Sequence, residues 1–210
     1  MLKLNETPVR TSRNYKINNI KLENVELPTN IKAFTSTEII GIKEIDKNVS
    51  NIDLVYGTGK ILEENINNYA NSKIKIENTS EDIQINYNFD AENTQLINNL
   101  EIIAEKNLNI IIKYESKTEK ECFHNGVIRL LAKENANVNI TIVNLLNNSS
   151  NNFDSIENVL QENANVNYTI IDIGAKNSVS NYYSNLMGNG AKNDLKTIYL
   201  GTENQVKDIN

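Results

Sequence analysis

The sequence predicts an all-β protein, a parallel β-helix in which each coil contributes about two main strands. The motif Glu-Asn-Ala-Asn-Val-Asn occurs at residues 134–139 and again at 162–167, a shift of 162 − 134 = 28 residues. In both copies, β-branched residues follow the turn-prone Asn and Ala, and apolar residues occupy every second position. The chain has only 8 Gly and 2 Pro, so Asn is left to form most of the turns. A fixed shift of this length is typical of stacked repeats.

The alternation inside the repeat assigns the two faces of its strand. The predicted buried face of the two copies consists of Val138, Ile140, Ile142, Val166, Tyr168 and Ile170. The intervening Asn139, Thr141 and Asn167 are expected to face solvent and to form polar ladders from coil to coil. A strand that recurs once per repeat in the same direction stacks most simply as a parallel sheet.

Three segments divide the chain. Residues 1–35 are predicted to form a short irregular strap or cap over the first coil, because an open solenoid end exposes apolar side chains and unpaired backbone. Residues 36–72 are ambiguous between first coils and a short helix: residues 63–70 favour a helix, and residues 52–56 favour a strand. Residues 73–210 are predicted to form the β-helix core.

Ten strands are predicted from residue 73 onward. They cover residues 73–77, 83–89, 100–104, 108–114, 127–132, 138–146, 156–160, 166–173, 181–187 and 195–200. The strands fall into two interleaved series, so each coil would supply one strand to each of two facing parallel sheets. The two series run through Ile102, Leu130 and Val159 and through Ile110, Ile140, Tyr168 and Thr197.

An antiparallel β-sandwich would also show many short alternating strands. A sandwich does not need the same turn motif in every coil, however. Dipeptides typical of tight hairpin turns are also nearly absent, the exceptions being Asn125-Gly126 and Asn189-Gly190. These two observations favour the solenoid.

Composition excludes several classes of function. A formal net charge of −6 with no basic stripe argues against nucleic-acid binding. A single cysteine, Cys122, excludes an intramolecular disulfide and a metal site built from Cys alone. The chain begins without an apolar signal-peptide core and contains no apolar run long enough to span a bilayer, so no membrane association and a cytoplasmic location are expected.

Cys122 and His124 are weak candidates for a metal or sulfur site. Two residues apart, they would point to the same face of a strand, but two ligands are too few for zinc or an iron–sulfur cluster. A site completed by a second chain and a sulfur-carrying thiolate are the alternatives to the favoured interpretation, a solvent-accessible turn cysteine beside a locally packed histidine. We therefore predict no catalytic, cofactor-binding or metal site in this chain.

Other motifs do not change this prediction. Residues 57–60 match only the tail of a phosphate-binding loop and are expected to form a turn. Asp154, Asp172 and Asp194 are expected on different parts of the coil, without partners in register.

Several motifs, in their order along the chain, resemble the SufB/SufD family of iron–sulfur cluster assembly proteins. They lie at residues 122–128, 132–138, 141–144, 161–164 and 187–192, and the apolar strand 195–200 follows the last of them. Residues 8–11, Pro-Val-Arg-Thr, are similar to a segment near the start of many members. The resemblance covers residues 100–203 and only loosely the N-terminal part.

The resemblance implies a right-handed parallel β-helix and a non-catalytic scaffold role in iron–sulfur cluster assembly. For the complete protein it implies two partners, a SufC-like ABC ATPase and a SufB/SufD-like subunit. It implies no cofactor in this chain, with an iron–sulfur cluster expected only in the complete complex. Family members continue with further coils and C-terminal helices, so the chain is expected to be truncated at its C-terminal end. SufB-like and SufD-like roles both stay open.

Two alternative functions come from other classes. A secreted-type polysaccharide-acting β-helix enzyme would need an export signal and aligned carboxylates, and a cofactor-free β-solenoid interaction module would need neither. For an open C-terminal edge we expect self-association through residues 195–210, or disorder after Leu200 in a monomer.

Overall fold

The computed structural model describes residues 1–6, 19–42, 45–77, 82–202 and 204–210. These residues form fourteen strands and one helix. In chain order the elements are β1 (Leu2–Leu4), β2 (Ile20–Leu22), β3 (Thr37–Ile40), α1 (Lys60–Tyr69), β4 (Ser72–Glu77), β5 (Asp82–Phe89), β6 (Gln95–Ala104), β7 (Leu108–Ser116), β8 (Phe123–Ala132), β9 (Asn137–Leu145), β10 (Asn151–Leu160), β11 (Asn165–Asp172), β12 (Asn177–Leu186), β13 (Lys192–Tyr199) and β14 (Val206–Ile209).

Two six-stranded sheets form a parallel β-solenoid of about five turns. Successive strands alternate between the sheets, whose orders are β4-β6-β8-β10-β12-β14 and β3-β5-β7-β9-β11-β13. Within these sheets every pairing is parallel except that of β3 with β5. The predicted parallel β-helix with two strands per coil is therefore confirmed, and Val138 lies opposite Val166 as the repeat predicts.

The space between the two sheets is filled by the residues that the alternation assigns to the buried face. All six residues of that predicted face are buried: Val138, Ile140, Ile142, Val166, Tyr168 and Ile170. Aromatic residues stack along the same axis, since the rings of Tyr87 and Tyr114 lie nearly parallel with centroids 5.4 Å apart. One apolar core thus runs through successive coils.

A ladder of side-chain amides runs along the outer face of the second sheet, as predicted for the polar positions of the repeat. Asn167 Nδ2 donates to Asn139 Oδ1 over 3.0 Å, and Asn139 Nδ2 donates to Asn109 Oδ1 over 2.8 Å. Asn109 Nδ2 donates in turn to the Asp82 carboxylate over 2.7 Å. Each bridging amide donates to one coil and accepts from the next, so the ladder helps to hold the coils in register.

The turns before β9 and β11 use Asn at positive φ, as the composition predicts. Asn135 has φ 61° and Asn163 has φ 55° at equivalent places in the repeat, and Gly190 has φ 74° in the following turn. These backbone angles favour Asn and Gly over other residues. Asn thus carries the turn chemistry of the repeat.

The register of the later coils differs from the prediction in both sheets. Leu130 pairs with Asn158 rather than with Val159, and Tyr168 pairs with Leu195 rather than with Thr197. Asn158 points inward, and Tyr168 Oη donates a hydrogen bond to its Oδ1 over 2.9 Å. This hydrogen bond satisfies the polar side chain in the core. In the second sheet Val166 pairs with Asn193, a spacing of 193 − 166 = 27 residues. This spacing is one residue shorter than the 28-residue repeat, whereas the predicted pairing implied a longer spacing.

Several strands of the first sheet begin earlier than predicted. β8 begins at Phe123 and not at residue 127, and β6, β10 and β12 are extended at their N-terminal ends in the same way. The additional residues are largely polar, and their buried hydrogen bonds replace the apolar contacts that the prediction required. Asn125-Gly126 therefore lies inside β8 and is not a hairpin turn.

Residues 36–72 contain the predicted short helix but not the predicted strand. The helix spans residues 60–69, close to the predicted 63–70, whereas residues 52–56 have no strand partner and are irregular. Ile52 and Leu54 are nevertheless buried, because they pack against the outer face of the first sheet beside α1. Their alternating burial mimics the pattern of a strand.

The N-terminal lead-in reaches beyond the first coil. Phe34 packs there against Phe89, with ring centroids 5.2 Å apart. Asn5, in contrast, donates from Nδ2 to the backbone oxygen of Ser180 in β12 over 3.0 Å and to the Asp208 carboxylate in β14 over 3.1 Å. The family-like segment 8–11 lies outside the described residues. The division of the chain at residues 35 and 72 stays a prediction.

Beyond Leu200 the structure describes residues 201, 202 and 204–210. Residues 206–209 form β14, which pairs in parallel with β12. Among residues 204–210 the segment is therefore ordered where disorder was expected for a monomer, because it makes one more sheet pairing and joins Lys207 to Asp172 in an ion pair.

Candidate functional site

The interior of the β-helix contains a chain of polar side chains, which we call the polar seam. Its members are joined by hydrogen bonds or an ion pair, except Tyr114, which packs against His124. The polar seam links the first inward residues of β8, β10, β12 and β14 to the last inward residues of β9 and β11. Except for Lys207, all of its residues are buried. The polar seam consists of Asn98, Tyr114, His124, Asn144, Asn152, Asp154, Asp172, Ser178 and Lys207.

His124 occupies the centre of the polar seam and is fully buried. Its Nδ1 lies 2.6 Å from Asn152 Oδ1, and its Nε2 lies 2.6 Å from Asn98 Oδ1. The ring packs against Tyr114 with centroids 4.0 Å apart. His124 is thus anchored on both nitrogens and one face. It packs and hydrogen-bonds as expected, but its hydrogen-bond partners lie in neighbouring coils and not nearby in the sequence.

Gly126 creates the space for this arrangement. A Cβ at this position would lie 2.5 Å from Asn98 Oδ1 and 2.7 Å from His124 Nε2. A larger residue would therefore separate the imidazole from the amide to which it is bonded. Glycine at residue 126 is required by the histidine site and not by a turn.

The proton distribution of His124 depends on Asp154, its nearest carboxylate. His124 Nδ1 lies 4.0 Å from Asp154 Oδ1, and Asn152 Nδ2 donates to Asp154 Oδ2 over 3.1 Å. Burial lowers the pKa of His124, although the charge of Asp154 opposes this shift. Burial raises the pKa of Asp154, and the charge of His124 opposes that shift in turn. Burial is the larger cause for both groups, so it shifts both protonation equilibria toward the neutral forms.

A neutral His124 determines how the amides around it are arranged. One ring nitrogen must accept while the other donates, so one of the two Asn amides must present its NH2 group to the ring. A half-turn of the Asn98 amide meets this requirement, since Asn98 Nδ2 otherwise has no hydrogen-bond partner in the described part of the chain. The site therefore holds one tautomer of the imidazole.

The polar seam ends in an ion pair near the last coil. Lys207 Nζ lies 2.8 Å from Asp172 Oδ1 and also donates to the backbone oxygen of Gly174, and the two charged side chains are only 6% and 3% exposed. Asn144 Nδ2 donates to the same Asp172 oxygen over 2.8 Å. The ion pair thereby joins β14 to the end of β11. Breaking such a pair from one side costs about 3–5 kcal/mol.

Cys122 is not the solvent-accessible turn residue that the sequence favoured. It is fully buried immediately before β8, and its Sγ lies 3.4 Å from the backbone oxygen of Lys120, to which the thiol donates. Burial raises the pKa of the Cys122 thiol. A protonated and enclosed thiol is a poor nucleophile and a poor metal ligand.

The donor atoms in the described ranges do not fit an iron–sulfur cluster or a zinc ion. No group of three or more His, Cys, Asp or Glu side chains comes together there. Both nitrogens of His124 are already hydrogen-bonded, and the thiol of Cys122 is engaged with a backbone oxygen.

The structure brings together carboxylates that the sequence placed apart. Asp154 and Asp172 both belong to the polar seam, linked through amides and Ser178, whereas Asp194 forms an exposed pair with Lys196. Sequence reasoning missed most of the seam, because alternation treats a polar residue as outward-facing. A detectable signal was the recurrence of Asn at the start of the coils. The seam residues that were missed are Asn98, Tyr114, Asn144, Asn152, Ser178 and Lys207.

Residues 57–59 lie in the irregular segment that leads into α1, with a bend at residue 58. Lys60 is the first residue of the helix and pairs with Asp53 and Glu63, at 3.3 Å and 3.1 Å. These residues therefore act as a connection and not as a phosphate cradle.

The far edge of β13 is a second feature with functional potential. Within the described part of the chain no strand pairs with this edge. Ile198 and Tyr199 are 58% and 64% exposed there, and Leu200 follows with similar exposure. An open parallel edge with exposed apolar side chains is suited to pairing with another strand.

None of the described helices is long and apolar enough to cross a bilayer.

Comparison with protein families finds one match, to the model described as SUF system FeS cluster assembly, SufBD core domain, over residues 87–210. Comparisons with curated proteins and with solved structures give no match. The match covers more than half of the chain and agrees with the parallel β-solenoid described above. The chain belongs to the SufBD core-domain family of the SUF system for iron–sulfur cluster assembly.

Proposed function

We propose that this protein is a non-catalytic scaffold subunit of the SUF system. The observation that carries the proposal is the SufBD core-domain match over residues 87–210. In this role the protein binds and positions other components, while iron and sulfide are cargo that passes through the complex. The purified chain is accordingly expected to show no hydrolase, lyase or ATPase activity.

The fold suits a scaffold, because each coil is held to the next by several independent means. Parallel backbone pairing, the outer amide ladder and the polar seam all connect neighbouring coils. A one-residue slip of any coil would leave buried polar groups without partners. The result is a rigid body that can present the β13 edge at a fixed distance from other surfaces.

Two partners follow from the family assignment. We propose a SufB/SufD-like subunit as the occupant of the open β13 edge, since an extended strand there would satisfy the backbone and cover Ile198 and Tyr199. We also propose that the complete protein works with a SufC-like ABC ATPase. A cytoplasmic location follows from the same role.

Cys122 is not proposed as the sulfur carrier. The thiol is buried, donates to the Lys120 backbone oxygen and has a raised pKa. The alternative of a sulfur-carrying thiolate would require the segment before β8 to open. We therefore propose that the protein acts as a positioning subunit in the assembly reaction.

The proposal can be tested by gene deletion and complementation in the cells that produce the protein. Deletion should lower the activity of iron–sulfur enzymes such as aconitase under iron limitation, and the wild-type gene should restore it. A Cys122→Ser variant should also restore it, whereas Ile140→Asp, which disrupts the core, should not. Normal iron–sulfur enzyme activity in the deletion strain would overturn the proposal, and failure of Cys122→Ser alone would assign a chemical role to the thiol.

A further inference from the structure

The chain contains two Asn-Gly dipeptides in opposite environments. Asn125-Gly126 lies inside β8, and Asn125 is fully buried. Asn189-Gly190 lies in the turn between β12 and β13, where both residues are exposed. The same two-residue sequence thus occurs once in the core and once in solvent.

We propose that Asn189 is a site of spontaneous deamidation, whereas Asn125 is protected by the fold. In this reaction a solvent base removes the proton of the Gly190 backbone nitrogen, which attacks Asn189 Cγ. The new Cγ–N bond closes a five-membered succinimide, and the bond from Cγ to Nδ2 breaks as ammonia leaves. Water then opens either ring bond and gives aspartate or isoaspartate. One water is consumed and one ammonia released, with no change of oxidation state.

The surroundings of Asn189 permit the attack. In the described part of the chain its side chain makes no hydrogen bond, so Cγ is free to turn toward the backbone. Gly190 has no Cβ to hinder the approach and belongs to no strand, so its nitrogen is outside the sheet ladder. In the two preceding turns the place of Gly190 is taken by Asn135 and Asn163. These two Asn residues are followed by Ala136 and Ala164, whose side chains are buried and crowd the same approach.

The surroundings of Asn125 prevent the same reaction. Its Nδ2 group, which would have to leave, donates to the Leu62 backbone oxygen over 3.0 Å and to Asn65 Oδ1 over 2.9 Å. Gly126 pairs on one side with Asn98 in β6 and on the other with Asp154 in β10. Ring closure would require this central strand to rotate out of two ladders, so the rate should follow unfolding of the core.

Modification at Asn189 has a structural consequence for the edge strand. The Asn189 backbone oxygen accepts from Asn163 N over 2.9 Å, and a Cβ on the preceding Gly188 would overlap the Glu162 backbone. The turn therefore fits closely against the coil below. Isoaspartate adds one methylene to the main chain and should misalign β13 with β11, while aspartate adds only charge, changing the formal net charge from −6 to −6 − 1 = −7.

The test is incubation of the full chain at mildly alkaline pH, folded and in urea, followed by peptide mass spectrometry at both dipeptides. In the folded protein the mass of the Asn189 peptide should increase by the difference between OH and NH2. The modified peptide should also react with protein isoaspartyl methyltransferase. The Asn125 peptide should stay unchanged. In urea both peptides should be modified at similar rates, which shows that protection of Asn125 comes from the fold.

Two variants separate the chemistry from its effect on the strand. Asn189→Gln should abolish the mass change, because its longer side chain closes a less favourable ring. Asn189→Asp should keep the hydrogen-exchange protection of β13, whereas the isoaspartate fraction of aged protein should lose it. The proposal is overturned if Asn189 stays unmodified in the folded protein while urea allows modification, or if both peptides react equally fast when folded.

Discussion

Replacing Ile140 with Asp tests the inward face of the β-helix directly. Ile140 is buried in β9, between Ile110 in β7 and Tyr168 in β11. Shortening a buried Ile costs about 2–5 kcal/mol, and an unpaired carboxylate in the same place adds several kcal/mol. Because the native state of a protein is stabilised by about 5–15 kcal/mol, the variant should be unfolded or nearly so at neutral pH.

The matched control is Ile111→Asp on the neighbouring strand β7. Ile111 pairs with Thr141, the residue next to Ile140, but its side chain points outward and is 45% exposed. This substitution should change the free energy of unfolding by about 0.5 kcal/mol or less, as is usual for surface positions. Both variants replace Ile with Asp on adjacent strands. They differ only in the face of the sheet on which the new carboxylate lies.

Urea titrations followed by circular dichroism, with size-exclusion chromatography, give the required measurement. The penalty of Ile140→Asp should shrink at lower pH, because burial raises the pKa of the introduced carboxyl and its neutral form is less costly in the core. A soluble Ile140→Asp variant with the wild-type urea midpoint would refute the face assignment. Equal destabilisation by Ile111→Asp would do the same.

Four further outcomes are expected. Lys207→Met should leave the Asp172 carboxylate buried without its cation, and hydrogen exchange should show β14 losing protection by up to about 3–5 kcal/mol. Burial lowers the pKa of His124 below 6.5, so the unfolded chain binds more protons just below that pH and the folded state loses stability as the pH falls. In a His124→Gln variant, the free energy of unfolding from urea titrations across a pH series should therefore fall less steeply as the pH is lowered. The Cys122 thiol should react slowly with iodoacetamide in the native protein and rapidly in urea, because it is buried and protonated. Light scattering across a dilution series should detect self-association through residues 195–210, and Ile198→Lys should shift the protein toward monomer.

Each of these outcomes has a control or a contradicting result. Lys196→Met breaks an exposed ion pair and should leave β14 unchanged, so equal losses in both lysine variants would contradict the ion-pair assignment. Asp154 acts in the opposite sense to His124, because its raised pKa removes stability as the pH rises above 3.8. If the free energy of unfolding of His124→Gln fell as steeply at acid pH as that of the wild type, groups other than His124 would dominate the acid dependence of stability. Rapid native alkylation would show an accessible Cys122, and a monomer indifferent to Ile198→Lys would show a covered edge.

The sequence determined the architecture because the relevant signals are local and repeated. The motif that repeats after 28 residues predicted the stacking of Val138 on Val166. The alternation of apolar and polar residues within it predicted the buried face and the outer amide ladder. Asn at positive φ could likewise be assigned from composition, since few residues tolerate those angles. Each of these features depends on neighbours within one coil or on an identical place in the next coil.

Only the tertiary structure decided the polar seam and the path of the lead-in. Buried His124 is acceptable because Asn98 and Asn152, 26 and 28 residues away, supply its partners. Asn5 and Asp208, 203 residues apart, meet because residues 1–6 lie against the outer face of the first sheet. A polar residue carries no local signal of whether a distant partner will satisfy it, so alternation assigns it to solvent. The free energy that places it in the core comes from hydrogen bonds that exist only once the coils are stacked.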